Sequence, residues 1–187
     1  MSALMQLQPL PLADAFLIGT HRIGDERGNF ARWYCDGDLQ SALQGKAIVQ
    51  INHSLTKEVG SVRGLHFQHP PLAEKKIIRC VAGSVFDVMV DLRRGSPTFL
   101  QWYGLTLSAG DDHAVLIPEG CAHGFQTLVA DSQLLYLHTA HYAQRAEGAV
   151  RFDDPRLSIR WPLPVTTVSQ RDRGHPLLPD NYPGICL

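Results

Sequence analysis

The chain is most regular where apolar and polar residues alternate. From Val85 to Leu92, Phe86, Val88, Val90 and Leu92 form one apolar face, and Asp87, Met89 and Asp91 share the other. A period of two is the mark of a β-strand. Similar short runs recur at Ala47–Asn52, Lys76–Ala82, Phe99–Leu107, His113–Ile117, Gly124–Val129 and Leu134–Ala140. Turn residues separate them: Gly83-Ser84, which reads as a hairpin turn, then Arg93-Arg94-Gly95-Ser96-Pro97, Ser108–Asp112 and Pro118-Glu119-Gly120. Helical periodicity is almost absent, and Leu39–Leu43 is the one short helix expected. After Pro155 the chain is rich in Pro, Arg and Asp and reads as an irregular wrap. The pattern predicts an all-β fold, a jelly-roll or cupin-type barrel with short peripheral helices.

A length of 187 residues favours one domain, residues 1–187, with a substantial core. Lys and Arg total 17 against 18 Asp and Glu, so no basic excess points to a nucleic-acid partner. The apolar runs are too short to span a bilayer. Pro9, Pro11 and Asp14 interrupt the first 17 residues, which therefore do not read as a secretion signal. A cytoplasmic protein is expected. The cysteines at positions 35, 80, 121 and 186 include no C-x-x-C pair, so free and mostly buried thiols are expected.

The densest polar cluster is Arg63-Gly64-Leu65-His66-Phe67-Gln68-His69. In a strand His66 and Gln68 share a face, and Arg63 joins them only if the strand is bulged. Gly64 is where a bulge is cheap. Taken alone, His66 is as well read as a hydrogen-bonded core histidine. Of Lys75 and Lys76, alternation sends one inward near the strand's end, where it is either a rim residue or a cation for an anionic substrate. Asp87 and Asp91 suit a structural role, with Arg79 and Arg93 as partners. Pro118–Phe125 forms a turn delivering His123 into a strand, and Leu134, Tyr136 and His138 share a later face. A metal centre is disfavoured: His66 and His123 alone are too few ligands, Gln68 stands where a second histidine would help, and a lysine nearby repels a cation.

Several motifs occur together and in order: Asp25–Phe30, Gln50–Ser54, Arg63–Gln68 with Lys76, Asp87–Arg93 with Ser96-Pro97-Thr98, Pro118–Phe125, Tyr136 with Thr139 and Tyr142, Glu147-Gly148, Asp153-Asp154-Pro155, Trp161-Pro162 and Ser169–Asp172. In these the chain resembles the dTDP-4-dehydrorhamnose 3,5-epimerase family over about residues 24–176. The resemblance implies a cupin-type homodimer with exchanged N-terminal strands. It implies cofactor-free and metal-free epimerisation of a nucleotide-diphosphate 4-keto-6-deoxyhexose at C3, C5 or both. His66 is then the base, Asp172 the carboxylate behind it, Tyr136 the acid and Lys76 the cation for the enolate. Arg27, Gln50, Asn52, Arg63, His123, Tyr142, Glu147 and Arg171 are then substrate-binding. The chain departs from the family at Asn29 and Arg32, where an aromatic and a glutamate are usual near the nucleobase, so another nucleotide carrier is the alternative. A non-catalytic sugar-binding cupin is the other alternative.

Overall fold

The computed structural model describes residues 4–187. Residues 1–3, the start of the segment read as lacking a secretion signal, lie outside the described residues. The elements run β1 (Met5–Pro9), β2 (Phe16–Thr20), β3 (Arg22–Asp25), β4 (Gly28–Ala31), α1 (Asp36–Leu43), β5 (Gln50–Thr56), β6 (Val62–Gln68) and β7 (Lys76–Ala82). They continue β8 (Ser84–Asp91), β9 (Trp102–Ser108), β10 (His113–Ile117), β11 (Cys121–Thr127), β12 (Ser132–His138), β13 (Glu147–Ala149) and α2 (Gln170–Arg173). Six strands form one antiparallel sheet in the order β1-β2-β10-β7-β12-β5, and five form a second in the order β13-β6-β11-β8-β9. The two sheets face each other as the expected all-β jelly-roll barrel. β3 and β4 form a separate exposed hairpin.

Three apolar layers hold this arrangement. Between the sheets, Ile78, Cys80, Val85, Met89, Leu107, Val115, Ile117, Cys121, Phe125 and Leu134 pack together. On the outer face of the six-stranded sheet, Ile77, Ala114, Leu116 and Leu137 are covered by Leu39, Ala42 and Leu43 of α1. Over the other sheet, Leu65, Phe67, Val88, Val90 and Leu92 are covered by Val150, Leu157 and Ile185 of the C-terminal wrap. The apolar face read at Phe86–Leu92 is thus the outer one, sealed by the wrap. The face bearing Asp87, Met89 and Asp91 lines the interior.

Two expectations need correction. Gly83-Ser84 is not a hairpin turn, because β7 pairs with β10 and β12 while β8 pairs with β9 and β11. The chain crosses between sheets there. Gly83 has a positive φ, and a Cβ on it would collide with Ser132, whose hydroxyl lies 3.1 Å from the Ser84 N–H and 3.0 Å from the Ser84 carbonyl. A Gly-Ser pair marks a tight bend and carries no information on which sheet receives the next strand. The thiols are free, but only Cys80 and Cys121 are buried; Cys35 is intermediate and Cys186 exposed. β2 pairs with the chain's own β10 and β1 pairs with β2, so among the N-terminal strands only the β3–β4 hairpin stands apart from the two main sheets.

Candidate active site

At one end of the barrel the space between the sheets opens into a cavity of about 270 Å³. Its wall includes Asn52, Ser54, Arg63, His66, Lys76, His123, Tyr136, His138 and Glu147. The five-stranded sheet contributes His66 from β6 and His123 from β11, while Tyr136 and His138 come from β12 of the facing sheet.

The β6 bulge is present. His66 lies opposite His123, but Arg63 lies opposite Phe125, so β6 spends one extra residue at Gly64-Leu65. Gly64 has φ +121°, and a Cβ there would sit 2.6 Å from the Gly124 Cα. No other residue fits without moving a strand. The bulge turns both Arg63 and His66 to the cavity. Gln68, on the same face, holds the following loop: its amide nitrogen donates to the Leu72 carbonyl at 3.0 Å, and its oxygen accepts from the Ala143 N–H at 2.7 Å.

His66 Nε2 donates to Asp172 Oδ1 at 2.7 Å, which leaves Nδ1 as its free basic nitrogen. The other Asp172 oxygen accepts from the Gly64 N–H at 3.2 Å. Burial pushes the Asp172 carboxyl up, but the hydrogen bond and charge of His66, with Gly64 and Ser169, hold it below the usual range. Asp172 lies on α2, which is started by Ser169 accepting the Asp172 N–H at 3.0 Å. The spacing Ser169-x-x-Asp172 is a capping signature, and it is the sequence signal that identifies this short helix within the wrap.

The two lysines part company. Lys75 points outward and donates to the Ala42 carbonyl at 2.6 Å and to Gln44 at 2.8 Å, fastening the C-terminus of α1. Lys76 points inward, donates to the His66 carbonyl at 3.0 Å and lies 3.3 Å from Glu74. Burial pushes its ammonium below the ordinary lysine value, and Glu74, Glu147 and Asp87 oppose that.

Tyr136 is half-buried, with its hydroxyl 3.0 Å from Ser54. Burial pushes the phenol up to about 12, although Ser54 and Arg63 pull the other way. Its ring stacks on His138, and His123 meets it edge-on. His123 donates to Asp87 at 2.7 Å. His138 Nδ1 donates to Glu74 at 3.0 Å. The cavity therefore has three carboxylate–imidazole pairs: Asp172 with His66, Asp87 with His123, and Glu74 with His138.

The remaining expected site residues divide. Tyr142 and Glu147 stand at the mouth, Tyr142 exposed. Arg171 is paired with Glu147 there and does not line the cavity itself. Gln50 also lies outside the wall, but it donates to Asn52 at 3.2 Å and accepts the Tyr142 N–H at 3.0 Å. Arg27 does not reach the cavity within one chain: it sits on the exposed β3–β4 hairpin, paired with Asp25. Asn29 shares that hairpin surface, and Arg32 is paired with Asp38 at 3.4 Å. Asp91 has Arg93 as expected, but Asp87 holds His123 and not Arg79, which donates to Thr20 at 2.9 Å and lies over Trp33.

Glu74 carries no local sequence signal, and His138 shows one only as a member of the Tyr136 face. His175, with His66 and Asp172, forms the one group of potential metal-ligand atoms among the described residues, all within 4.8 Å of one another.

The family model described as dTDP-4-dehydrorhamnose 3,5-epimerase matches residues 9–180. A curated relative of that description from Sinorhizobium fredii is 39% identical over 175 residues, covering 93% of this chain and 90% of its own. A dTDP-4-dehydrorhamnose 3-epimerase from Streptomyces niveus is 37% identical over 175 residues, 93% of this chain and 84% of its own. Among solved structures, a dTDP-6-deoxy-D-glucose-3,5-epimerase from Legionella pneumophila in complex with dTDP-4-keto-L-rhamnose superposes with a TM-score of 0.87. It is 35% identical, and the match covers 92% of each chain.

Proposed function

The chain belongs to the dTDP-4-dehydrorhamnose 3,5-epimerase family of isomerases, and we propose on that premise that it inverts C3, C5 or both of a dTDP-linked 4-keto-6-deoxyhexose in deoxysugar biosynthesis. One observation carries the catalytic part: a histidine–carboxylate pair on one sheet and a tyrosine on the facing sheet open onto the same cavity, with a buried lysine beside them.

The chemistry follows from that geometry. A C–H next to the C4 ketone loses its proton to His66 Nδ1, and the C–H electron pair moves into an enolate. Asp172 fixes the tautomer and supports the imidazolium that forms. Lys76 faces the enolate oxygen from a water-poor wall, where a cation is worth most. Tyr136 gives its proton to the carbon from the opposite face; solvent then returns a proton to the phenolate and takes the abstracted one from the His66 imidazolium, which resets the pair. A phenol held near 12 stays protonated at neutral pH, so it is available as the acid. The sequence uses no cofactor and no metal. Arg63, His123 and Asn52 bind the sugar diphosphate in the cavity, with Arg171, Glu147 and Tyr142 at the mouth and Gln50 holding the Tyr142 loop.

A homodimer completes the reading. β5 is a sheet edge carrying exposed Ile51 and Leu55, and the hairpin exposes Ile23 and Phe30. An edge of this kind is ordinarily covered. A hairpin supplied by a second copy would bring Arg27 and Asn29 to the nucleotide end of the cavity. Sedimentation analysis is expected to give a dimer; a monomer at micromolar concentration would remove Arg27 from the site. Proton NMR of substrate turned over in D2O tests the reaction, since deuterium at C3 and C5 separates double from single epimerisation. A folded protein that incorporates no deuterium into a dTDP-linked 4-keto sugar refutes the enzyme.

A further inference from the structure

Lys76 is almost wholly withdrawn from water, yet the enolate-holding role proposed for it requires a positive charge. A lysine buried without a counter-charge loses its proton near neutral pH. The groups around it are Glu74 just before β7, His66 on β6, Asp87 on β8, Glu147 on β13, and Tyr136 and His138 on β12. Of the carboxylates, only Glu74 is within ion-pair distance, at 3.3 Å. Asp87 is engaged by His123, and Glu147 by Arg171.

Glu74 is itself buried, and its second oxygen is taken by His138 Nδ1 at 3.0 Å. Burial pushes the Glu74 carboxyl up, and His138 and Lys76 bring it below its ordinary value. His138 Nε2 in turn accepts from Asn52 at 3.3 Å, Asn52 accepts from Gln50, and Gln50 accepts the Tyr142 N–H. An unbroken line of hydrogen bonds thus runs from the buried lysine to the loop at the cavity mouth. Its centre, Glu74 with His138, touches neither the base nor the acid by hydrogen bond.

We propose that Glu74, held in place by His138, is a positioning residue that keeps Lys76 charged inside the cavity and thereby sets the alkaline limit of the epimerisation. The inference rests on the role given to Lys76 above. The sign is fixed by the charges. Removing a carboxylate beside an ammonium favours the neutral amine, so the lysine titrates at lower pH and the active form is lost earlier as pH rises.

The chain has four lysines, at 46, 57, 75 and 76, so the titration of each is readable by NMR of protein labelled with carbon-13 at lysine Cε. Lys76→Met assigns the signal. In Glu74→Gln, which keeps the side chain's shape, the Lys76 midpoint is expected to fall by about one pH unit or more. The alkaline limb of the deuterium-exchange rate should fall with it, in kcat more than in KM. Glu74→Asp should recover most of the shift, and His138→Asn should produce a smaller one. Thermal melting checks that each variant is folded.

An unmoved Lys76 midpoint in Glu74→Gln overturns the inference, whatever the activity. A moved midpoint with an unchanged pH–rate profile also overturns it, because the charge would not limit the reaction. Absence of exchange in the unaltered protein is a different failure: it strikes the epimerase reading and with it the alkaline limit, while the midpoints still decide whether Glu74 holds the charge.

Discussion

Asp87 and Asp91 lie on the same face of β8, and both are fully buried. By composition and pattern they are twins, yet the two ends of the strand use them differently. At the closed end, every nearby group serves Asp91. The Arg93 guanidinium donates to both of its oxygens at 3.0 and 2.8 Å, and Ser96 and Thr98 donate at 2.5 and 2.6 Å. Arg93 continues to Asp14 and the Ala13 carbonyl, tying the N-terminal segment to the barrel. At the open end, Asp87 has one partner, His123, and its Oδ1 has none among the described residues. A saturated carboxylate builds a corner. An unsaturated one behind an imidazole leaves that imidazole, His123, on the wall of the cavity, where a substrate is accommodated.

The sharpest way to break this comparison is Asp91→Ala. It leaves the largely buried Arg93 with only the exposed Asp14 carboxylate as counter-charge and is expected to cost about 3 kcal/mol in denaturant unfolding. A loss below 1 kcal/mol would mean that the corner does not depend on the network. Asp172→Asn attacks the open end through another of its carboxylates. It should cost about 1 kcal/mol in unfolding, well below Asp91→Ala, while slowing deuterium exchange by about 100-fold, because the imidazolium loses its support. Asp87→Asn belongs with Asp172→Asn in kind and below it in size: about tenfold in exchange rate, with a stability change of about 1 kcal/mol. If Asp87→Asn behaved like Asp91→Ala, the distinction between the two ends would fail.

The smallest effect is in pH. Asp172 titrates lower in the folded protein than in the unfolded chain. Its contribution is therefore complete above the unfolded value, about 3.9, and is lost as pH falls through the folded value. Acid titration should loosen α2 before the sheets, and amide exchange within Gln170–Arg173 reads this directly. Equal protection of α2 and β8 across that range would contradict it.

The same contrast explains what the sequence disclosed. β7 and β10 were legible to the residue, because buried strands read as short apolar runs with clear turns at their ends. The expected bounds of β5, β9, β11 and β12 differ from the observed ones by two to four residues at one or both ends, since a strand's polar end resembles a turn. β1 to β4 were not read, because Pro and Gly punctuate them and much of the hairpin is exposed. The Arg63–His66 convergence was legible because Gly64 marks where a bulge is cheap. Alternation alone does not say which lysine turns inward; the pairing of β7 with β12, where Lys76 faces His138, decides it. Glu74 and His138 are 64 positions apart and meet through that register. No local pattern encodes their pairing, and the same holds for Asp87 with His123. Resemblance to the family implies Arg27 at the site, whereas a single chain leaves it on the hairpin.

In the proposed mechanism His66 and Tyr136 move protons to and from opposite faces of one sugar ring. The direct test is NMR of a dTDP-linked 4-keto-6-deoxyglucose incubated in D2O with the unaltered protein, with His66→Asn and with Tyr136→Phe. The unaltered protein should install deuterium with inversion at C3, C5 or both. His66→Asn should install none while still binding the nucleotide sugar. Tyr136→Phe should exchange without inverting, since the base can return a deuteron only to the face it came from. Inversion at the unaltered rate in either variant would contradict the account.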